Sequence, residues 1–191
     1  MPGIASTSRV ALVPLKNFSD AKSRLREVLG HEEVVALTVN LARHVLESLK
    51  PLHTFVVCDD DDVADFAVAC GASALRTTSR SLNAALSEAY GQMGDFSQVI
   101  IAHGDLRHPE GLGFFQPDPG VTIVTDHHQR GTNVMSLPSG LDFRFAYGAN
   151  SAKLHHREAA RLGIACTVTI DSPWRFDVDE PDDLESSPDS I

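Results

Sequence analysis

Lys16, Lys22 and Arg24 follow an apolar run at 10–13, within Val13-Pro14-Leu15-Lys16-Asn17-Phe18-Ser19-Asp20-Ala21-Lys22-Ser23-Arg24-Leu25. The run reads as a buried strand, and Ala21 to Leu25 open a helical pattern. Cations just past a first strand, near a helix N-terminus with unpaired N–H groups, suit a polyphosphate. Open α/β sheets bind ligands beyond the carboxyl ends of their strands. Carboxylates recur at similar places. Asp105 follows the strand-like Val99-Ile100-Ile101-Ala102 and then His103-Gly104, and Asp177 and Asp179 are two apart in Phe176-Asp177-Val178-Asp179. An extended chain points that pair to one face. Three converging aspartates repel unless protonated or bridged by a cation, and oxygen-only ligands beside a triphosphate match magnesium. The same spacing admits a plainer role, with Asp177 capping a turn and Asp179 starting a helix at 181–184.

Gly131-Thr132-Asn133 lies between two strand candidates. It could set a hydroxyl and backbone donors against an anion, or form a simple turn. Tyr147-Gly148-Ala149-Asn150-Ser151 precedes a helical stretch. Ser151 suits an N-cap there, and a helix start also accepts a phosphate or carboxylate. Nine histidines include the adjacent pairs His127-His128 and His155-His156, but no HExxH or Cys/His cluster supports zinc. Asp59-Asp60-Asp61-Asp62 lacks the spacing of a calcium loop and reads as a solvated turn and helix start. The sequence holds no GxSxG, P-loop or GxGxxG motif.

The elements that must position these groups alternate in type. Strands are expected at 10–13, 54–58, 98–102, 121–124, 134–137 and 165–170, with short additional runs at 74–75 and 174–178. Helices are expected at 32–50, 64–70, 82–92 and 151–162. The pattern indicates a layered, Rossmann-like α/β domain over 1–185, with a mixed, mostly parallel sheet flanked by helices and a solvated tail at 186–191. At 191 residues, 42% hydrophobic and 22% charged, the chain has the composition of a soluble domain. A net charge of −10 argues against nucleic acid and anionic membranes as partners, while a local basic pocket suits a small anion. Cys58, Cys70 and Cys166 form no CxxC pair. Free thiols, with Cys58 and Cys166 buried, fit a reducing cytoplasm. No apolar run is long enough for a leader peptide or a membrane span.

Taken in order, these segments resemble the guanylyltransferases that make the deazaflavin coenzyme F-420, the 2-phospho-L-lactate and phosphoenolpyruvate guanylyltransferases, related to the MobA-like nucleotidyltransferases. The resemblance runs from Val13 to Leu184. It rests on Val13-Pro14-Leu15-Lys16 with Ala21-Lys22-Ser23-Arg24-Leu25, Ser81-Leu82-Asn83, Gly104-Asp105-Leu106, Gly131-Thr132-Asn133, Tyr147-Gly148 with Ser151 and His155, and Asp177-Val178-Asp179-Glu180-Pro181-Asp182-Asp183-Leu184. It implies the MobA-like fold, GTP as donor, a small phosphorylated three-carbon acid as acceptor, magnesium, and pyrophosphate release; a homodimer is the assembly expected. It assigns the metal and catalysis to Asp105, Asp177 and Asp179, with Lys22 also catalytic. It assigns GTP to Lys16, Lys22, Arg24 and Asn83, and the acceptor to Thr132, Gly148 and Ser151. One departure is that Arg107-His108-Pro109 stands where the family has a proline directly after Asp-Leu, which changes that rim from apolar to basic. The readings set against this one are a related nucleotidyltransferase of other base or acceptor specificity and a non-catalytic nucleotide-binding paralogue. Retention of all three aspartates and all three cations favours the enzyme.

Overall fold

Val10, Ala11, Leu12 and Val13 are completely buried because β1 (Arg9–Pro14) lies inside a sheet covered on both faces, where an unbroken apolar run is required. In the computed structural model, which describes residues 8–20, 22–79 and 81–185, β1 pairs in parallel with β2 (His53–Cys58) and β4 (Gln98–Ala102). The other strands are β3 (Ser73–Arg76), β5 (Val121–Thr125), β6 (Thr132–Pro138) and β7 (Cys166–Thr169), in the order β3-β2-β1-β4-β6-β5-β7. Only β6 is reversed, pairing antiparallel with both β4 and β5. The reversal brings the amino end of β6, with Thr132 and Asn133, to the edge where β1, β2 and β4 end. The expected single α/β layer structure with a mixed, mostly parallel sheet is the one observed.

Four helices cover the faces. Val10 and Leu12 pack with Ala85, Leu86 and Ala89 of α3 (Leu82–Gly91) and in the same core as Ala152 and Ala159 of α4 (Ser151–Arg161). Ala11 and Val13 face Val45 and Leu46 of α1 (His31–Ser48) and Val63 and Ala67 of α2 (Asp61–Ala69). A smaller cluster joins Leu25, Val34 and Val178 with Leu184 of the short α5 (Pro181–Glu185). That cluster seats the Lys22–Arg24 segment against the chain carrying Asp177 and Asp179.

Two expectations change. Of the expected helical opening at 21–25, Ala21 lies outside the described residues and Lys22 to Leu25 do not form an α-helix. Lys22 takes a left-handed conformation (φ 53°), and Ser23–Glu27 form a 3-10 turn that ends before α1. Gly30 then starts α1, its N–H donating to the Glu33 carboxylate at 2.8 Å. The run at 174–178 is not a strand. Pro173 sets a 3-10 turn whose Trp174 N–H donates to the Ser172 hydroxyl, and only a single antiparallel bridge, Leu106 to Asp177, follows. The Asp59–Asp62 run is the expected turn and helix start, with the Asp60 carboxylate accepting from the Val63 N–H. All three cysteines are free, and Cys58 is buried, whereas Cys166, on the edge strand β7, is only half-buried. No described helix is long and apolar enough to cross a membrane. The expected tail at 186–191 lies outside the described residues.

Candidate active site

Two clefts open along the carboxyl edge of the sheet. The first, about 250 Å³, lies over the ends of β1 and β2, with Leu15, Phe18, Val57 and Leu82 among its walls and Lys16 and Lys22 at its margin. The second, about 570 Å³, lies between the start of β6, the start of α4 and the 177–179 segment. Thr132, Gly148 and Ser151 line it, with Arg24, Asp177 and Asp179. His103 and Asp105 line both clefts, so the chain past β4 forms their common wall. Asp105 was legible in the sequence. His103 was not singled out, although it sits two residues before Asp105 on the same exit from the sheet.

Asp105 is the electrostatic centre. Its Oδ2 accepts from the Lys22 ammonium at 2.8 Å, and the same ammonium donates to the Val178 carbonyl. The Lys22 side chain is only 5% exposed. Burial pushes the Asp105 carboxyl up, but the Lys22 ammonium and His103 outweigh it and hold it below the usual carboxylate range. Its other oxygen, Oδ1, is buried and has no hydrogen-bond partner. Asp177 faces Asp105. Burial, and then the charge of Asp105, push its carboxyl up, although the Asn133 amide donates to it at 3.2 Å. Val178 turns inward, and Asp179 instead accepts from Arg24 at 3.2 Å, with Glu180 taking the same nitrogen at 2.7 Å.

The three aspartates therefore do not converge as a set. Among the described residues no group of three His, Cys, Asp or Glu side chains is arranged to hold a metal ion. All three line the second cleft, with Asp105 and Asp177 facing each other and Asp179 paired with Arg24. The pair still fits a hard divalent cation. The bare Oδ1 of Asp105 and the mutual repulsion with Asp177 are what such an ion relieves, and magnesium takes few protein oxygens beside phosphates and water. Of the plainer reading, in which Asp177 caps a turn and Asp179 starts a helix at 181–184, the helix is present as α5 from Pro181, and at its start it is Asp183 that accepts from the N–H groups of Asp179 and Glu180.

Thr132 and Ser151 form a neutral network. Ser151 Oγ and Thr132 Oγ1 are 3.1 Å apart, and Thr132 Oγ1 is 3.1 Å from His155 Nδ1. Ser151 is not the N-cap of α4. Asn150 holds that position in a left-handed conformation (φ 60°), which frees the Ser151 side chain for Thr132. Nor is Gly131-Thr132-Asn133 merely a turn. Thr132 begins β6, and Asn133 reaches the opposite face to bond Asp177 and the Trp174 carbonyl. Gly148 has φ 125°, a conformation strained for any side chain, and an added Cβ would project into open space.

Two expectations are redirected. Asn83 is committed to the Tyr147 backbone, donating to its carbonyl at 3.1 Å and accepting from its N–H at 2.7 Å. It steadies the chain beside Gly148 and lines a third cleft instead of the first. Arg107 does not recast the acceptor rim, because its guanidinium donates to the Asp183 carbonyl and so ties the Asp105 loop to α5.

A family profile described as "Guanylyl transferase CofC like" matches residues 9–186. A phosphoenolpyruvate guanylyltransferase of Chloroflexus aggregans is 29% identical, over 90% of this chain and 93% of its own. A 2-phospho-L-lactate guanylyltransferase of Methanocaldococcus fervens is 27% identical, over 91% and 81%. A 3-phospho-D-glycerate guanylyltransferase of Colwellia psychrerythraea is 26% identical, over 91% and 88%. Among solved structures, one from Desulfovibrio desulfuricans described as a nucleotide-diphospho-sugar transferase superposes with a TM-score of 0.73 at 15% identity, covering 92% of this chain and 84% of that one. That likeness concerns the fold alone.

Proposed function

The chain belongs to the CofC-like guanylyl transferase family, and on that premise we propose that it transfers GMP from GTP to a small phosphorylated three-carbon acid with release of pyrophosphate, in coenzyme F-420 biosynthesis. The observation that carries this reading is the common wall: His103 and Asp105 border both clefts, so ligands in the two would meet at Asp105. The first cleft, apolar in its walls and edged by Lys16 and Lys22, suits a purine nucleotide. The second, with hydroxyls and a bare glycine, suits a compact acid.

The acceptor's phosphate oxygen attacks the α-phosphorus of GTP in line. A new P–O bond forms, the bond to the bridging α–β oxygen breaks, and pyrophosphate leaves with that electron pair. The attacking phosphate is already anionic at neutral pH, so no general base is needed. The barrier lies in bringing two anions together. The second cleft sharpens the problem, since Asp105, Asp126, Asp177 and Asp179 line it against only Arg24 and Arg130. Magnesium held by Asp105 and Asp177, with Asp179 within the same segment, would supply charge neutralisation at the α-phosphate. Lys22 would exchange Asp105 for phosphate oxygens and, with Lys16 and Arg24, stabilise the departing pyrophosphate. Thr132, Ser151 and the Gly148 backbone would hold the acid in line. Positioning and charge stabilisation thus carry the catalysis.

The test is a matrix of each nucleoside triphosphate, with magnesium, against phosphoenolpyruvate, 2-phospho-L-lactate and 3-phosphoglycerate, with products identified by mass. A guanylylated acid plus pyrophosphate is expected from GTP. Product from CTP with GTP inert, or no product in any pairing, overturns the proposal.

A further inference from the structure

The connection between β6 and α4 contains no regular structure, yet it carries Gly148 to the second cleft. Side chains hold its backbone N–H groups instead. Leu141 donates to the Tyr90 hydroxyl, Arg144 to Glu158, Ala146 to His155 and Tyr147 to Asn83. His155 differs from the others because it also bonds a side chain of the cleft, that of Thr132. Its Nε2 accepts the Ala146 N–H at 2.9 Å, and its Nδ1 is 3.1 Å from Thr132 Oγ1. The ring is completely buried beside Phe143 and Tyr147.

Proton counting fixes the direction of each bond. An Nε2 that accepts carries no proton, so the neutral ring carries its proton on Nδ1 and donates to Thr132 Oγ1. Burial holds the ring neutral by pulling its pKa down to about 4. Thr132 and Ser151 then share two hydroxyl protons. One closes the bond between them, and the other has no partner within the trio. We infer that His155 is a positioning residue for the acceptor: Nδ1 keeps a hydroxyl donor of the Thr132–Ser151 pair free for an anionic oxygen, while Nε2 pins the loop that presents Gly148. A ring reversed to carry its proton on Nε2 would instead confront the Ala146 N–H and turn the Thr132 proton toward itself. The inference rests on the second cleft being the acceptor site, and it adds that a group which accepts hydrogen bonds, a carboxylate or phosphate edge, is what the trio selects.

The test compares His155→Asn, His155→Gln, Thr132→Val and Ser151→Ala under steady-state kinetics. Asparagine can keep a donor near the place of Nδ1, whereas glutamine reaches the place of Nε2. His155→Gln should raise the acceptor KM about tenfold with the GTP KM changed by less than about twofold, and His155→Asn should recover most of that loss. The double variant His155→Gln/Thr132→Val should be little worse than Thr132→Val alone, since both remove one prepared donor. An additive double variant, or a His155→Gln acceptor KM equal to wild type while Thr132→Val raises it, overturns the inference and leaves the acceptor site standing. If Thr132→Val and Ser151→Ala also leave the acceptor KM unchanged, the acceptor site is elsewhere and both readings fail. Should the His155 variants not fold, long-range ¹H–¹⁵N spectra of the wild-type protein decide: a neutral ring protonated at Nδ1 is expected, and protonation at Nε2 overturns the inference.

Discussion

Around the common wall of the two clefts and the rim of the second, the charged groups are already paired with one another: Lys22 holds Asp105, and Arg24 holds Asp179 and Glu180. Where the starts of β6 and α4 meet in the second cleft, the groups are neutral, buried and linked in a chain, from the Ala146 N–H through His155 and Thr132 to Ser151. The first arrangement must exchange partners when phosphates arrive, so its ion pairs stabilise the empty protein at a cost to binding. The second needs no exchange, and its energy goes into geometry. An acidic protein that must bring two anionic substrates together has reason to use both. Mobile cations can follow a leaving group, while a fixed neutral chain adds no further charge to a cleft already lined by aspartates.

The largest break in this contrast should come at Asp105. Asp105→Asn should cost roughly 10²–10³ in kcat, the usual scale for losing one electrostatic contact in a transition state. It should also lower the unfolding free energy by a few kcal/mol, because the nearly buried Lys22 loses its partner. The double variant Asp105→Asn/Lys22→Met should recover stability but not turnover. Full activity at saturating magnesium in Asp105→Asn would remove the aspartate from the mechanism.

The Thr132–His155–Ser151 chain should show its buried neutrality in pH dependence. Above the ordinary histidine pKa of 6.5, His155 is neutral both folded and unfolded. As pH falls from there to about 4, the unfolded chain gains a proton that the folded ring refuses, so stability is lost across that window. The loss should total about 3 kcal/mol, at ~1.4 kcal/mol for each tenfold difference in proton affinity. Denaturant midpoints measured at several pH values should flatten over this range in His155→Gln, and parallel curves for the two proteins would show that the ring titrates freely.

The kinetic effects of the hydroxyls should be smaller. Ser151→Ala should raise the acceptor KM by the equivalent of about 1–3 kcal/mol, with a smaller change for GTP. Because Ser151 does not cap α4, the melting temperature should change little on that account, and a large fall in stability with unchanged KM would assign the hydroxyl to folding. Smallest of all should be the stability effect of Arg24→Ala. Its side chain is 63% exposed, and surface ion pairs contribute about 0–1 kcal/mol. Weakened GTP binding at unchanged stability is expected. Unchanged GTP binding would confine Arg24 to its surface pairs.

What the sequence made legible follows local pattern. The buried run of β1, the alternation of strands and helices, and Asp105 at the end of β4 all lie in short windows whose periodicity reports burial. The sheet edge at which Thr132, Ser151 and Asp177 meet depends on the reversal of β6, which no local window encodes. The short turn at Lys22 was hidden because five residues of helical composition serve a 3-10 turn as well as an α-helix. Asn83 entered as a GTP contact through the resemblance, and Arg107 as a departure from it that turns the rim basic. Their partners are backbone groups of Tyr147 and Asp183, 64 and 76 residues away in the chain. His155 entered only in the rejected zinc pairing and within the resemblance, since a histidine inside an amphipathic helix gives no sign that both ring nitrogens are used.

The most direct test of the contrast is a crystal structure with magnesium, a non-hydrolysable GTP analogue and the acceptor acid bound together. The account predicts that Lys22 Nζ has left Asp105 Oδ2, now 2.8 Å away, for a phosphate oxygen, with the cation on Asp105 and Asp177. It also predicts that the Thr132–His155 and Thr132–Ser151 separations remain at 3.1 Å. A complex in which Lys22 still holds Asp105 while the Thr132–His155–Ser151 chain has rearranged around the acid would contradict it.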